Sequence, residues 1–145
     1  MEQTQIDDAL CRRLIAAALE ARKRSYAPYS HYHVGAALWT QSGKLYTGCN
    51  IENAAYTPTN CAERTAFFKA VSEGVRDFAA IVIVGGAEGE APTDYTAPCG
   101  VCRQVMQEFC VPDDFKIVLA RSEDDYRLMT LQDLLPEGFG PDNLI

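Results

Sequence analysis

The chain reads as an α/β protein, a three-layer α/β/α arrangement built on a five-stranded mixed sheet. Three observations predict it. Helical and extended patterns follow one another in the order α-β-β-α-β-α-β-β-α along 145 residues. One run, Phe78 to Val84, is apolar throughout, which suits a central strand covered on both faces. Two links, at Ser42-Gly43 and from Arg121 to Asp125, are too short to hold a crossover helix, so the strands on either side of each pair antiparallel.

Each element has its own signal. Ile6, Leu10, Leu14, Ala17, Ala18 and Ala21 recur at helical spacing and predict an amphipathic helix over residues 5–24. Thr4 is placed to cap it, and Asp7 and Asp8 stand in the first turn, where the helix dipole favours negative charge. Ser25 to His33, with Pro28 and several aromatics, is a loop. Val34–Thr40 and Lys44–Cys49 form a hairpin around Ser42-Gly43. Asn50 to Asn60 lacks periodicity and is a second loop. Cys61 to Glu73 is a helix with Ala62, Ala66, Phe67 and Ala70 on one side, ended by Gly74. After the strand at Phe78–Val84 comes a loop rich in Gly and Pro, Gly85 to Pro98, and then a helix from Cys99 to Cys110. Phe115–Ala120 and Tyr126–Thr130 are strands, and Leu131–Leu135 is a short helix before the tail. No repeat, low-complexity tract or linker interrupts this order, so residues 1–145 read as a single domain.

Bulk composition narrows the function classes. With 48% hydrophobic residues the chain is globular in composition. No apolar run approaches the roughly 18 residues of a membrane span, and Met1 to Asp8 is polar and acidic rather than a secretory signal. A soluble, cytoplasmic protein without a membrane partner is expected. A formal net charge of −7 disfavours nucleic acid as a partner, since that binding relies on Lys and Arg displacing phosphate counterions. The densest basic stretch, Arg22-Lys23-Arg24, fits a solvated helix C-terminus.

Six cysteines, Cys11, Cys49, Cys61, Cys99, Cys102 and Cys110, point to metal or catalysis in a cytosolic chain rather than to disulfides. A lone C-x-x-C such as Cys99 to Cys102 fits a redox pair, half of a structural zinc site, or chance. Its context is more specific. Pro98 precedes it, the pair opens a helix, Cys61 opens another helix, and Glu63 follows Cys61 by two positions. Zinc takes thiolates readily and prefers four ligands, so three cysteines leave one position for water. Helix N-termini favour ionised sulfur. Zinc with three thiolates carries an excess negative charge, which Arg64 offsets if it reaches the sulfurs; as a surface helix residue it does not. Glu63 is then either a carboxylate complementing the helix dipole or a group that takes a proton from zinc-activated water. Cys11, Cys49, Cys110, His31 and His33 are nominally available to close a structural site instead.

The residues also carry a resemblance. C-x-E at Cys61-Ala62-Glu63 with P-C-x-x-C at Pro98 to Cys102 is the zinc deaminase pattern. Asn50-Ile51-Glu52-Asn53-Ala54-Ala55-Tyr56, Cys61 to Ala66 and Pro98 to Gln104 together resemble the short, homotetrameric, zinc-dependent cytidine deaminases. Tyr29-Ser30, Val34-Gly35-Ala36-Ala37, Leu134-Leu135-Pro136 and Phe139-Gly140 extend the likeness over nearly the whole chain. The resemblance implies hydrolytic deamination of free cytidine and deoxycytidine, with release of ammonia, as a step of pyrimidine salvage. It implies one Zn2+ per chain on Cys61, Cys99 and Cys102, with Glu63 as the catalytic proton shuttle. It places Asn50 and Glu52 on the sugar hydroxyls and the Ala54 amide on the base carbonyl. Phe139 would reach a neighbouring subunit's pocket, so that sites are shared within a homotetramer. The family usually has Phe where this chain has Tyr32, packed on base or sugar; Tyr adds a hydroxyl that needs a partner, and His33 beside it is also less usual. Within deaminases the rivals are an enzyme for another aminated pyrimidine and a polynucleotide-editing enzyme. Outside them the rival is a structural zinc protein, which has no use for Glu63.

Overall fold

The computed structural model describes residues 5–145. The five strands β1 (Tyr32–Thr40), β2 (Leu45–Cys49), β3 (Phe78–Ala87), β4 (Lys116–Ser122) and β5 (Asp125–Thr130) form one sheet in the order β2-β1-β3-β4-β5. β1 runs antiparallel to β2 and β3, β3 parallel to β4, and β4 antiparallel to β5, so the sheet is mixed as expected. Both short links make antiparallel pairs.

Helix α1 (Asp8–Ala21) covers one face, and α2 (Ala62–Ser72) and α3 (Gly100–Phe109) cover the other. The central strands show why Phe78–Val84 is apolar at every position. Ile81 and Ile83 pack with Ile117 and Leu119 toward α2 and α3, while Val82 and Val84 pack with Val118 and Ala120 toward α1. On α2 the expected side, Ala62, Ala66, Phe67 and Ala70, is wholly buried. A last helix, α4 (Leu131–Leu134), opens with a capping box between Thr130 and Asp133.

Several boundaries differ from the sequence expectation. Thr4 lies outside the described residues. The helix begins only at Asp8, because the Asp7 carboxylate accepts from the Leu10 amide at 2.8 Å and ends the chain's extended entry there. Residues 22–24 tighten into a 3-10 turn, and Arg22 is not a solvated helix end. Its guanidinium donates to the carbonyls of His33, Glu90 and Ala87, stitching the end of α1 to β1 and to the loop after β3. β3 runs three residues beyond Val84, because β1 starts at Tyr32 and pairs it with Ala87. Among the described residues no helix is long and apolar enough to cross a membrane.

Strand direction decides where the cysteine-bearing loops lie. β2 and β3 are both antiparallel to β1, so their C-terminal ends lie at the same edge of the sheet. The loops leaving that edge start α2 and α3, and this is where open α/β sheets place ligands.

Candidate active site

Cys61 is the N-cap of α2 and Cys99 the N-cap of α3, with Cys102 in the first turn of α3. Neither sulfur caps a backbone amide of its own helix, so both are free to point elsewhere. The Cys61, Cys99 and Cys102 sulfurs lie within 4.8 Å of one another, and Cys61 and Cys99 are 3.6 Å apart. No other His, Cys, Asp or Glu joins them among the described residues. The fourth ligand that Cys11, Cys49, Cys110, His31 or His33 was nominally able to provide is therefore not at hand.

The electrostatics favour a cation here. Hydrogen bonding with Cys102, then with Arg64 and Cys99, holds the Cys61 thiol down to about 5 against burial. The same bond to Cys61, together with burial, pushes Cys102 up. Arg64 Nη2 donates to Cys61 Sγ at 3.4 Å, so it is not simply a surface residue. Burial opposes its charge, and the bonds to Cys61 and Cys102 outweigh it. Three sulfurs at two helix N-termini, with only one arginine bonded to them for countercharge among the described residues, fit a soft divalent metal of the zinc type.

Among the described residues Glu63 is the one buried carboxylate, at 4% exposure. Burial pushes its carboxyl up to about 7, and the charge on Cys61 adds to this. Its Oε1 has no hydrogen-bond partner among the described residues. An orphaned buried carboxylate oxygen costs free energy and marks a place where a ligand, a water or a reacting group completes the network.

Two residues that the sequence did not single out set this geometry. Thr65 Oγ1 donates toward the carbonyls of Cys49 and Cys61, 3.1 and 3.2 Å away, and pins the start of α2 to the end of β2. Gly48 lies directly under the first turn of α2. A Cβ there would stand 2.4 Å from the Ala62 carbonyl oxygen and 2.7 Å from the Ala66 nitrogen. Thr65 falls within the Cys61 to Ala66 motif, which implies no role for it, and Gly48 carries no pattern that sequence alone distinguishes.

The other expected site residues gather at the same edge. Asn50 follows β2 and locks the entrance of β1: its Oδ1 accepts from Val34 N at 2.9 Å and its Nδ2 donates to Tyr32 O at 2.8 Å. One N–H and one lone pair remain. Glu52 Oε1 accepts from the amides of Tyr29 and Ser30 at 3.0 and 3.1 Å, and its Oε2 accepts from the Ser30 hydroxyl. Glu52 thus holds the 25–31 loop in place, and Oε2 retains spare acceptor capacity. Ala54 is exposed, and its amide makes no hydrogen bond among the described residues. A hollow of about 270 Å³ lies here, lined by Tyr29, Ser30, Glu52, Asn53, Tyr56 and Thr59. A larger one, about 570 Å³, sits on the α1 side by Arg22, His33 and Pro92 and touches none of the chemistry-bearing residues. The hydroxyl of Tyr32 finds its partner in Thr96 Oγ1, 2.6 Å away and three residues before Cys99. Phe139 stands apart: it is 58% exposed and lies outside the chain's own core.

A family model for the cytidine and deoxycytidylate deaminase zinc-binding region matches residues 10–118. The chain is 48% identical over 132 residues to a cytidine deaminase of Sporosarcina psychrophila, covering 91% of this chain and 93% of that one. It is 47% identical to a cytidine deaminase of Halalkalibacterium halodurans, over 90% of this chain and 95% of the relative. The crystal structure of a cytidine deaminase from Burkholderia pseudomallei superposes with a TM-score of 0.79 at 49% identity, covering 88% of this chain and 97% of that one. Cys61, Cys99 and Cys102 all fall within the matched zinc-binding region and form the potential zinc site, one per chain. A match that spans both ligand clusters, on a sheet of the same shape, leaves one conclusion: the chain belongs to the cytidine and deoxycytidylate deaminase zinc-binding family.

Proposed function

We infer that residues 1–145 act as one catalytic domain that hydrolyses free cytidine and deoxycytidine to uridine and deoxyuridine, releasing ammonia. The observation that carries this reading is Glu63, a buried carboxyl with an unpartnered oxygen beside three sulfurs that lack a fourth protein ligand among the described residues. A structural metal site has no use for that oxygen, which is why the binding-protein alternative is set aside.

Cys61, Cys99 and Cys102 would hold zinc, with Arg64 limiting the negative charge on their sulfurs. When bound there, zinc supplies a water that gives up its proton near neutral pH. Glu63 carries both protons of that water. The first goes to ring nitrogen 3 of the pyrimidine and makes carbon 4 electrophilic. The second goes to the amino nitrogen on carbon 4, which leaves as ammonia. The water oxygen stays on carbon 4 as the new carbonyl, so atoms and charge balance. A carboxyl with its affinity for protons raised toward neutrality is suited to both accept and deliver.

The spare N–H and lone pair of Asn50 and the spare lone pair of Glu52 Oε2 would read the sugar hydroxyls, and the Ala54 amide the base carbonyl. Tyr32 would form a wall of the pocket. The 270 Å³ hollow touches only Glu52 among these residues, so it adjoins the reacting groups rather than enclosing them. Phe139 of a neighbouring subunit would complete the active site, in a homotetramer with shared sites. The net charge of −7 fits a free nucleoside rather than nucleic acid, and on this reading the protein is a cytoplasmic salvage enzyme without a membrane partner.

The test is an ultraviolet absorbance assay with cytidine, deoxycytidine, cytosine and dCMP in parallel. Turnover of the two nucleosides, with cytosine and dCMP poor, is expected. Turnover of dCMP equal to that of deoxycytidine would overturn the free-nucleoside reading, and turnover of none of the four would overturn the enzyme reading.

A further inference from the structure

The tail that carries Phe139 is fastened to α3, the helix that opens with Cys99 and Cys102. Arg103 Nη1 donates to the Leu134 carbonyl at 2.7 Å, and its Nε donates to the Pro98 carbonyl at 2.8 Å. Gln104 Nε2 donates to the Phe139 carbonyl at 2.8 Å. One turn further on, the side chain of Gln107 lies against two glycines of the tail. A Cβ on Gly138 would meet its Oε1 at 2.8 Å, and one on Gly140 would meet its Cγ at 3.0 Å. Between the two straps Glu137 adopts φ 55°, in the left-handed region that is uncommon for a non-glycine residue. Segment 134–140 is therefore held at both ends along a path that it does not prefer.

What is held this way is informative. The backbone of Phe139 is tied down, and the residue is 58% exposed. An anchor for the tail would do the opposite, burying the ring and leaving the backbone loose. Fixing an apolar ring outward on an immobilised backbone removes in advance the entropy that a contact with another surface would otherwise cost.

We propose that Gln104, supported by Arg103 and Gln107, is a positioning residue for Phe139 of its own chain, and through that ring for the active site of a neighbouring subunit. The proposal rests on the shared-site reading above. Its consequence runs against sequence proximity. Gln104 lies two residues from Cys102, yet its loss leaves its own chain's zinc and Glu63 intact and harms a pocket on another chain.

Complementation between subunits tests this directly. Gln104→Ala and the isosteric Gln104→Glu, which replaces the donor with an acceptor, should both raise KM for cytidine about three- to tenfold, the worth of one hydrogen bond. Zinc content by elemental analysis and kcat should stay near wild type. Gln104→Ala combined with Phe139→Ala should be no worse than Phe139→Ala alone, since a positioning residue then has nothing to position. Gln104→Ala subunits are next dissociated and reassembled with Glu63→Gln subunits, and the mixed tetramers are verified by mass. Each Gln104→Ala pocket beside a Glu63→Gln chain then receives a correctly held Phe139, and kcat/KM per intact Glu63 should climb back toward wild type. Phe139→Ala subunits mixed with Glu63→Gln subunits are the control. Recovery in the control without recovery for Gln104→Ala overturns the positioning role and leaves the shared site standing. Recovery in neither overturns the shared site and the proposal with it. Additive losses in the double variant, or zinc loss in either Gln104 variant, would equally overturn it by showing a role within its own subunit.

Discussion

Replacing Gly48 with Ala is the perturbation that most directly probes how the fold builds its site. The added Cβ would stand 2.4 Å from the Ala62 carbonyl oxygen and 2.7 Å from the Ala66 nitrogen, both in the first turns of α2. Ordinary van der Waals contact begins near 3.4 Å, so the helix start must withdraw from β2 by about 1 Å. The two nearest atoms are backbone and the third is Thr65 Cβ at 3.0 Å, which is fixed to the backbone, so no rotamer change relieves the clash. That turn carries Cys61 and Glu63, while Cys99 and Cys102 stay with α3. Overpacking of this kind costs about 1–3 kcal/mol, which for a chain of this size lowers the melting temperature by roughly 3–10 °C. A misplacement of about 1 Å at reacting groups costs on the order of 10²-fold in rate. Gly48→Ala should therefore lose roughly 10²-fold in kcat/KM for cytidine and bind zinc less tightly in competition with a chelator. Gly100→Ala is the control, because a Cβ there meets nothing within 4 Å although the residue lies between two of the sulfur ligands in sequence. Full zinc retention, activity within about threefold of wild type and an unchanged melting temperature for Gly48→Ala would refute the argument that close approach of α2 to β2 sets the catalytic geometry.

The same geometry predicts four more outcomes. Glu63→Gln keeps the buried shape and should retain zinc and the fold but lose at least the roughly 10²–10⁴-fold of a general acid–base group in kcat; activity within about tenfold of wild type would sink its role as shuttle. Cys61→Ala, Cys99→Ala and Cys102→Ala should each lose zinc by elemental analysis, and full occupancy in any one removes that cysteine from the ligand set. Tyr32→Phe and Thr96→Val each leave one hydroxyl of a 2.6 Å pair without its partner, whereas the double variant removes both. KM should rise in each single variant and return toward wild type in the double, and strictly additive effects would disprove the coupling. Glu52 is held below its usual value of 4.5, chiefly by the Ser30 hydroxyl and against some burial, so its hold on the 25–31 loop is present above that value and lost as the pH falls through the lower folded pKa. Amide protection at Tyr29 and Ser30 should drop in that acidic window in wild type, and be low with no such step in Glu52→Ala.

Much of this molecule was legible in its sequence because the relevant forces are local or periodic. Burial at every third or fourth residue declares α1 and α2, and burial at every residue from Phe78 to Val84 declares a strand covered on both sides. The cysteines and Glu63 were legible because zinc chemistry restricts residue types and because a helix start presents a sulfur without competition from the backbone. The tertiary structure decided what depends on partners distant in sequence. Asp7 starts α1, since capping is settled by which side chain reaches an amide. β3 extends to Ala87 because β1 offers it a partner as far as Tyr32. Asn50 and Glu52 carry structural bonds to Tyr32, Val34, Tyr29 and Ser30 that no spacing rule contains, and Thr96 became the partner of Tyr32 only through the return of the loop that follows β3. Even the meeting of Cys61 with Cys99 and Cys102, separated by some forty residues, results from strand order. It requires β2 and β3 to end at one edge of the sheet, and that is fixed by their shared antiparallel neighbour β1, a relation between elements that no local stretch of sequence encodes.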